Sequence, residues 1–124
     1  MILDSIGIQY VSQKIIKENG KIYFFDICIK DIMIEINGDF WHANPYKYKS
    51  SDLLKFPKKD VLVSDIWKKD LNKKNCAIKN KYNVVYLWES YIKKTPNEKI
   101  IDDLIDIIEN KNFIDKNEYK GIKN

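Results

Sequence analysis

The sequence predicts a mixed α/β domain, with a central mixed β-sheet of about four strands flanked by helices. Three observations lead there. An almost unbroken apolar run, Ile22 to Ile29, directly follows an Asn19-Gly20 turn. A strictly alternating segment runs from Ile32 to Asn37. Apolar residues recur at helical spacing from Ile100 to Ile108.

Asn-Gly is the strongest short-range hairpin signal, so Ile8 to Ile16 and Ile22 to Ile29 read as an antiparallel pair. The second of these is apolar on both faces, as a central strand is. Lys30-Asp31 turns the chain into Ile32 to Asn37, with Ile32, Ile34 and Ile36 on one face and Met33, Glu35 and Asn37 on the other. Residues 38 to 63 contain Pro45, Pro57 and many Lys and Tyr, and read as irregular. Ser64 is expected to cap a helix reaching about Lys81. Asn83 to Glu89 reads as the fourth strand. Thr95-Pro96-Asn97-Glu98 has the form of a capping box with Pro at the first helical position. It heads a helix to about residue 110 that packs by one face. A polar tail follows from 111 to 124. The whole span, 1–124, reads as one domain with its core at about 8–94.

Composition narrows the function classes. No apolar run approaches the ~20 residues of a membrane helix. The start, MILDSIGIQY, lacks the basic region and cleavage site of an export signal, so a cytoplasmic setting and no membrane partner are expected. The two cysteines, Cys28 and Cys76, have neither CxxC spacing nor a histidine cluster nearby. They read as small buried thiols in a reducing compartment. The net charge of +4 is unevenly placed: residues 43–94 hold thirteen Lys against five Asp and Glu. A basic middle segment suits a polyanionic partner.

The second hairpin carries the chemistry. With Lys30-Asp31 as the loop, Ile29 faces Ile32, Ile27 faces Ile34, and Asp26 faces Glu35. Opposed side chains sit ~5 Å apart at Cβ. Two facing carboxylates in an apolar sheet repel each other and are costly to bury. A divalent cation removes both costs, and hard oxygen ligands favour Mg²⁺, Mn²⁺ or Ca²⁺. The same arithmetic for the first hairpin places Gln13 opposite Asp26, where it could orient a carboxylate or a bound water. A register slip or a bulge would undo the acidic pair and leave one acid in solvent.

The run Ile34-Glu35-Ile36-Asn37-Gly38-Asp39-Phe40-Trp41-His42-Ala43-Asn44-Pro45 is distinctive. So is Asp65-Ile66-Trp67-Lys68-Lys69-Asp70-Leu71-Asn72-Lys73-Lys74, closed by Val84-Val85-Tyr86-Leu87-Trp88-Glu89. With Phe25-Asp26 these blocks resemble the very short patch repair endonucleases and their phage-type homing endonuclease relatives. Those enzymes belong to the restriction-endonuclease-like superfamily with its PD-(D/E)xK core. The resemblance spans roughly Ile8 to Lys94. It implies a Mg²⁺-dependent DNA endonuclease, nicking or cutting both strands, that leaves 5′-phosphate and 3′-hydroxyl ends. Asp26 matches the family's metal-binding aspartate. His42 matches the histidine that activates water or stabilises charge on the phosphate, and Asp70 the aspartate near it. Phe40, Trp41 and Trp67 match aromatics that wedge into the DNA stack in the repair enzyme. Glu35 and Asn37 fit the D/E-x-K pattern with Asn in the Lys place.

The chain departs from the family in three ways. The homing relatives carry a catalytic Glu on a helix before the first strand, and here Ile2-Leu3-Asp4-Ser5 looks like the end of such a helix. Either Glu35 supplies the second carboxylate, or the missing helix lies in a fused or truncated part. The repair enzyme's zinc ligands have no counterpart, so no zinc is expected. Asn37 stands where that enzyme has a second active-site histidine.

Metal-assisted phosphodiester hydrolysis gives these residues their roles. Asp26 and Glu35 would hold the metal and offset phosphate charge. His42 would move a proton near neutrality. Asp70 would fix its tautomer, as carboxylates do for catalytic histidines. Lys73 or Lys74, one turn after Asp70, would meet phosphate. Tyr46 and Lys47 begin an interleaved aromatic and basic stretch suited to stacking and backbone contact. Each residue also has a plainer reading: a lone histidine packed or solvated, aromatics in the core, lysines on a solvated face. Specificity would come from a homodimer or from a fused or partner domain. Two other classes stay open, a catalytically inactive DNA-binding or interaction module of the same fold and an RNA-cleaving enzyme.

Overall fold

The computed structural model describes residues 2–117. A single helical turn, α1 (Ile2–Ser5), leads into the hairpin β1 (Val11–Glu18) and β2 (Lys21–Ile29), then β3 (Ile32–Asn37). A short hairpin, β4 (Leu53–Lys55) and β5 (Asp60–Leu62), precedes α2 (Val63–Lys79). The chain continues through β6 (Asn83–Trp88), α3 (Glu89–Lys94) and α4 (Asn97–Asn110). The main sheet has the order β1-β2-β3-β6, with β1, β2 and β3 antiparallel and β6 parallel to β3. The expected mixed α/β architecture is what the chain adopts.

The sheet is covered on both faces. Ile27, Ile29, Ile32, Ile34, Val85 and Leu87 pack with Leu3 and with Ile100, Leu104 and Ile107 of α4. On the other face Phe25, Cys28, Met33 and Val84 pack with Cys76 and Ala77 of α2. Both cysteines are free and buried there, and burial pushes their thiols up from the ordinary range. A third cluster, Ala43, Leu54, Val63 and Ile66, seats the β4–β5 hairpin and the preceding loop on the start of α2.

The expected registers hold. β1 pairs Val11 with Cys28 and Lys14 with Phe25, and β2 pairs Ile27 with Ile34 and Ile29 with Ile32. Several local expectations do not. The first strand begins at Val11, after a turn around Gly7, whose φ is +72°. Ser64 does not cap α2, which starts at Val63 with no side-chain cap. The orphan amides of Val63 and Ser64 instead reach the Asp52 and Ser50 carbonyls of the preceding loop. The stretch 38–63 is not wholly irregular, since it holds the β4–β5 hairpin. The box at Thr95 does not form either. Pro96 is the N-cap of α4, and its carbonyl accepts from the Lys99 and Ile100 amides. Thr95 Oγ1 is buried with no hydrogen-bond partner among the described residues.

The polar tail is part of the fold as far as residue 117. Phe113 packs on the α4-side core. The Lys116 amide donates to the Tyr86 carbonyl at 2.8 Å, and the Trp88 amide donates to the Lys116 carbonyl at 2.9 Å. This segment therefore runs along the outer edge of β6, parallel to it at Leu87. The rest of the tail, 118–124, lies outside the described residues. Among the described residues, no helix is long and apolar enough to cross a membrane.

Candidate active site

The site starts where the β2–β3 ladder stops. Beyond the pair Ile27–Ile34 the two acids take over from the backbone. The Asp26 amide donates to Glu35 Oε1 at 2.8 Å, and the Ile36 amide donates to Asp26 Oδ2 at 2.8 Å. Each carboxylate thus satisfies an amide of the neighbouring strand, so the strands stay in register while their backbones separate. The side-chain alternation of β2 changes phase at the same place: Phe25 and Cys28 pack toward α2, while Ile27 and Ile29 pack toward α4. Across β1, Gln13 adopts a left-handed backbone with φ +53° and drops out of the ladder between Ser12 and Lys14. It is exposed and makes no hydrogen bond to Asp26, so the orienting role expected for it is not supported by a contact.

Glu35 is buried on the α2 side of the sheet, beyond Met33. Burial pushes its carboxyl above the usual range, although the Lys73 ammonium and the Asp26 amide both pull it down. Lys73 Nζ meets Glu35 Oε2 at 2.5 Å and lies 4.8 Å from the centroid of the Phe25 ring. The ammonium expected to meet phosphate is therefore engaged with an acid of the strand pair. Lys74 points elsewhere, with its ammonium 5.4 Å from the centroid of the Tyr86 ring.

One turn before Lys73 on α2, Asp70 Oδ2 meets His42 Nδ1 at 2.9 Å. The two positions expected to cooperate are in direct contact. His42 comes from a compact turn after β3. Its amide bonds the Gly38 carbonyl, the Asn44 amide bonds the Asp39 carbonyl, and Ala43 is left-handed with φ +50°. Trp67 fixes this turn to α2 by donating its indole N–H to the Ala43 carbonyl at 2.7 Å.

The turn is tied down by polar residues the sequence did not single out. Asn44 is fully buried, and its amide bonds Asp39 Oδ1 at 2.9 Å. It also exchanges two amide bonds with Asn117, at 2.8 and 2.7 Å. Burial alone would raise the Asp39 carboxyl, but Asn44, Lys47 and the Ser90 amide outweigh it and hold it below the ordinary value. Lys47 is engaged in that pair at 3.0 Å. The Asp39 amide in turn donates to Glu89 Oε1 at 3.2 Å.

Tyr86 closes the group. It is the ladder partner of Glu35 across β3–β6. Burial, with the nearby carboxylates of Asp70, Asp115 and Glu35, pushes its phenol up, so it stays a protonated donor. Parallel pairing of the strands ending at Asn37 and Trp88 would have revealed it, but nothing in the sequence fixed that pairing.

Two cavities meet at the His42–Asp70 pair. The smaller, about 340 Å³, is lined by Asn37, Trp67, Lys74, Tyr86 and Asp115 besides the pair. The larger, about 770 Å³, lies toward the β4–β5 hairpin and includes Trp41, Phe56, Lys69 and Lys73. Of the aromatics, Trp41 and Tyr46 are exposed, while Phe40 and Trp67 are partly buried against the third cluster. Phe40 also packs on Phe56, their ring centroids 5.0 Å apart.

No protein-family model matches the chain, and no curated protein matches its sequence.

Proposed function

We propose that this domain is a metal-dependent endonuclease that hydrolyses phosphodiester bonds in DNA. The observation that carries the reading is the placement of two carboxylates, Asp26 and Glu35, at a strand separation whose covering helix also holds the His42–Asp70 pair one turn away. A buried acid with a second carboxylate beside it is costly, and such arrangements concentrate at sites of chemistry.

The donor chemistry suits Mg²⁺ or Mn²⁺: two hard carboxylates, with no thiolate or second histidine beside them. Among the described residues no third Asp, Glu, His or Cys joins them in a metal-holding group. Asp26 and Glu35 would hold the ion, with Lys73 giving up its bond to Glu35. A bound divalent cation would offset charge on the scissile phosphate. The chain's own residues do the rest. His42, with Nδ1 held by Asp70, accepts the water proton at Nε2. Lys74 in the smaller cavity and Lys69 in the larger one lie on either side of the pair, where one of them would meet the phosphate. The domain acts inside a bacterial or phage-infected cell, with target choice supplied by a second copy or by a fused or partner domain.

One observation favours the rival reading of an inactive binding module. The Lys73–Glu35 ion pair already neutralises the buried acid without a metal. Supercoiled-plasmid cleavage separates the two. Relaxed or linear product that needs Mg²⁺ or Mn²⁺, stops with EDTA and is lost in Asp26→Ala supports the enzyme. A gel shift with no product in any metal supports the module. Product from RNA alone would move the substrate class.

A further inference from the structure

The larger cavity beside His42 is not a phosphate trough. Its walls carry Lys59, Lys69 and Lys73 but also Asp60, Asp65 and Asp70, so their charges cancel. A surface that only tracks a nucleic-acid backbone is expected to be strongly cationic. Flat apolar walls distinguish this one. Trp41 is 56% exposed and lies 4.9 Å from Phe56 and 5.3 Å from Phe40, centroid to centroid. Leu53 and Leu62, paired across the β4–β5 hairpin, are exposed and line the same space. The carboxylates of Asp60 and Asp65 have no hydrogen-bond or ion-pair partner among the described residues.

We propose that this cavity is a pocket for one unpaired nucleobase, which makes the preferred substrate a single strand or a duplex with a base displaced from its stack. The choice of nucleic acid rests on the nuclease reading above. A base offers an apolar face and an edge of N–H donors. Trp41 and Phe56 meet the face, and stacking on aromatics tolerates every base. Asp60 and Asp65 accept from exocyclic amino groups, as carboxylates do from cytosine. A paired base in a duplex presents neither its face nor its pairing edge, so an intact double helix leaves this pocket unfilled. His42 and Lys73 line the same cavity, which places the phosphate of a seated nucleotide beside the pair.

The test measures binding of the intact chain to three oligonucleotides of one sequence, with Ca²⁺ in place of Mg²⁺. One is single-stranded, one is a duplex with a single unpaired nucleotide, and one is a blunt duplex. The expected result is about tenfold or tighter binding of the first two. That preference should be lost in Trp41→Ala and in Phe56→Ala, with circular dichroism showing both variants folded. Trp41→Phe should retain most of it. Equal affinity for all three forms, or a preference that survives Trp41→Ala, overturns the pocket and leaves the nuclease reading standing. Tight, Trp41-dependent binding of unpaired forms with no cleavage in Mg²⁺ upholds the pocket and overturns the nuclease reading instead.

Discussion

The two faces of the sheet are built to different rules. The face under α4 is aliphatic almost throughout: Ile27, Ile29, Ile32, Ile34, Val85 and Leu87 meet Ile100, Leu104 and Ile107. The face under α2 starts the same way with Cys28, Met33 and Val84, then gives way to Glu35, Lys73, Tyr86 and the His42–Asp70 pair. The α4 side buries few polar groups, chiefly Asp103 bonded to Tyr91 and the Thr95 hydroxyl, whereas the α2 side gathers the acids, the ammonium and the histidine. Mutations on the two sides should therefore separate in their effects.

The largest effect is expected from Asp26→Ala. If Asp26 holds the metal as proposed, its loss should cut plasmid cleavage by at least ~10³-fold, equivalent to several kcal/mol of barrier. The melting curve should barely move, because the Ile36 amide it frees lies at an exposed position and turns to water. Ile107→Ala on the opposite face should do the reverse. Ile107 is fully buried, so truncation should cost about 2–5 kcal/mol in urea unfolding while cleavage per folded molecule stays intact. An activity loss in Ile107→Ala below its melting temperature would break the division.

Lys73→Met should fall in between. It leaves Glu35 buried without its ammonium, at a cost of about 1–3 kcal/mol after allowing for the partial exposure of Lys73. Its pH dependence sharpens the point. The Glu35 carboxyl is raised in the folded chain, so between its ordinary and raised values the native state binds more protons than the unfolded one. Stability then falls as pH rises through that window. Removing Lys73 takes away a lowering influence and should extend the window upward, so the variant loses more stability at neutral pH than in mild acid. Equal losses at both would show that Glu35 is not the group responsible. The smallest effect is expected from Thr95→Val. It keeps the shape and removes a buried hydroxyl with no partner among the described residues, and should stabilise the α4 face by about 1 kcal/mol in thermal unfolding.

Sequence reading reached the sheet and its acidic pair because those depend on neighbours. Asn19-Gly20 and Lys30-Asp31 fix the two turns, and once the turns are fixed the hairpin partners follow by counting, up to the point where Gln13 leaves the ladder and the β2–β3 pairing stops at Ile27–Ile34. Helix starts were less legible. Ser64 and Thr95 have the right chemistry for caps, but Asp52 and Ser50 carbonyls and the Pro96 carbonyl reached the orphan amides first. Three-residue strands such as β4 and β5 carry too little pattern to stand out from a Lys-rich loop. The contacts between distant segments were out of reach. Nothing local in Lys73 reports that it turns to Glu35 and not to solvent, and nothing in Asn44 reports Asn117.

That last pair has a consequence for the order of events during synthesis. Asn44 and Asn117 are separated by 73 residues, yet each donates one amide hydrogen bond to the other. The sheet can assemble once β6 has emerged, but the His42 turn gains its clasp only when residue 117 has left the ribosome. A chain still being translated therefore already has its histidine turn tied to α2 through Trp67 and Asp70, and lacks the clasp that closes the turn from behind.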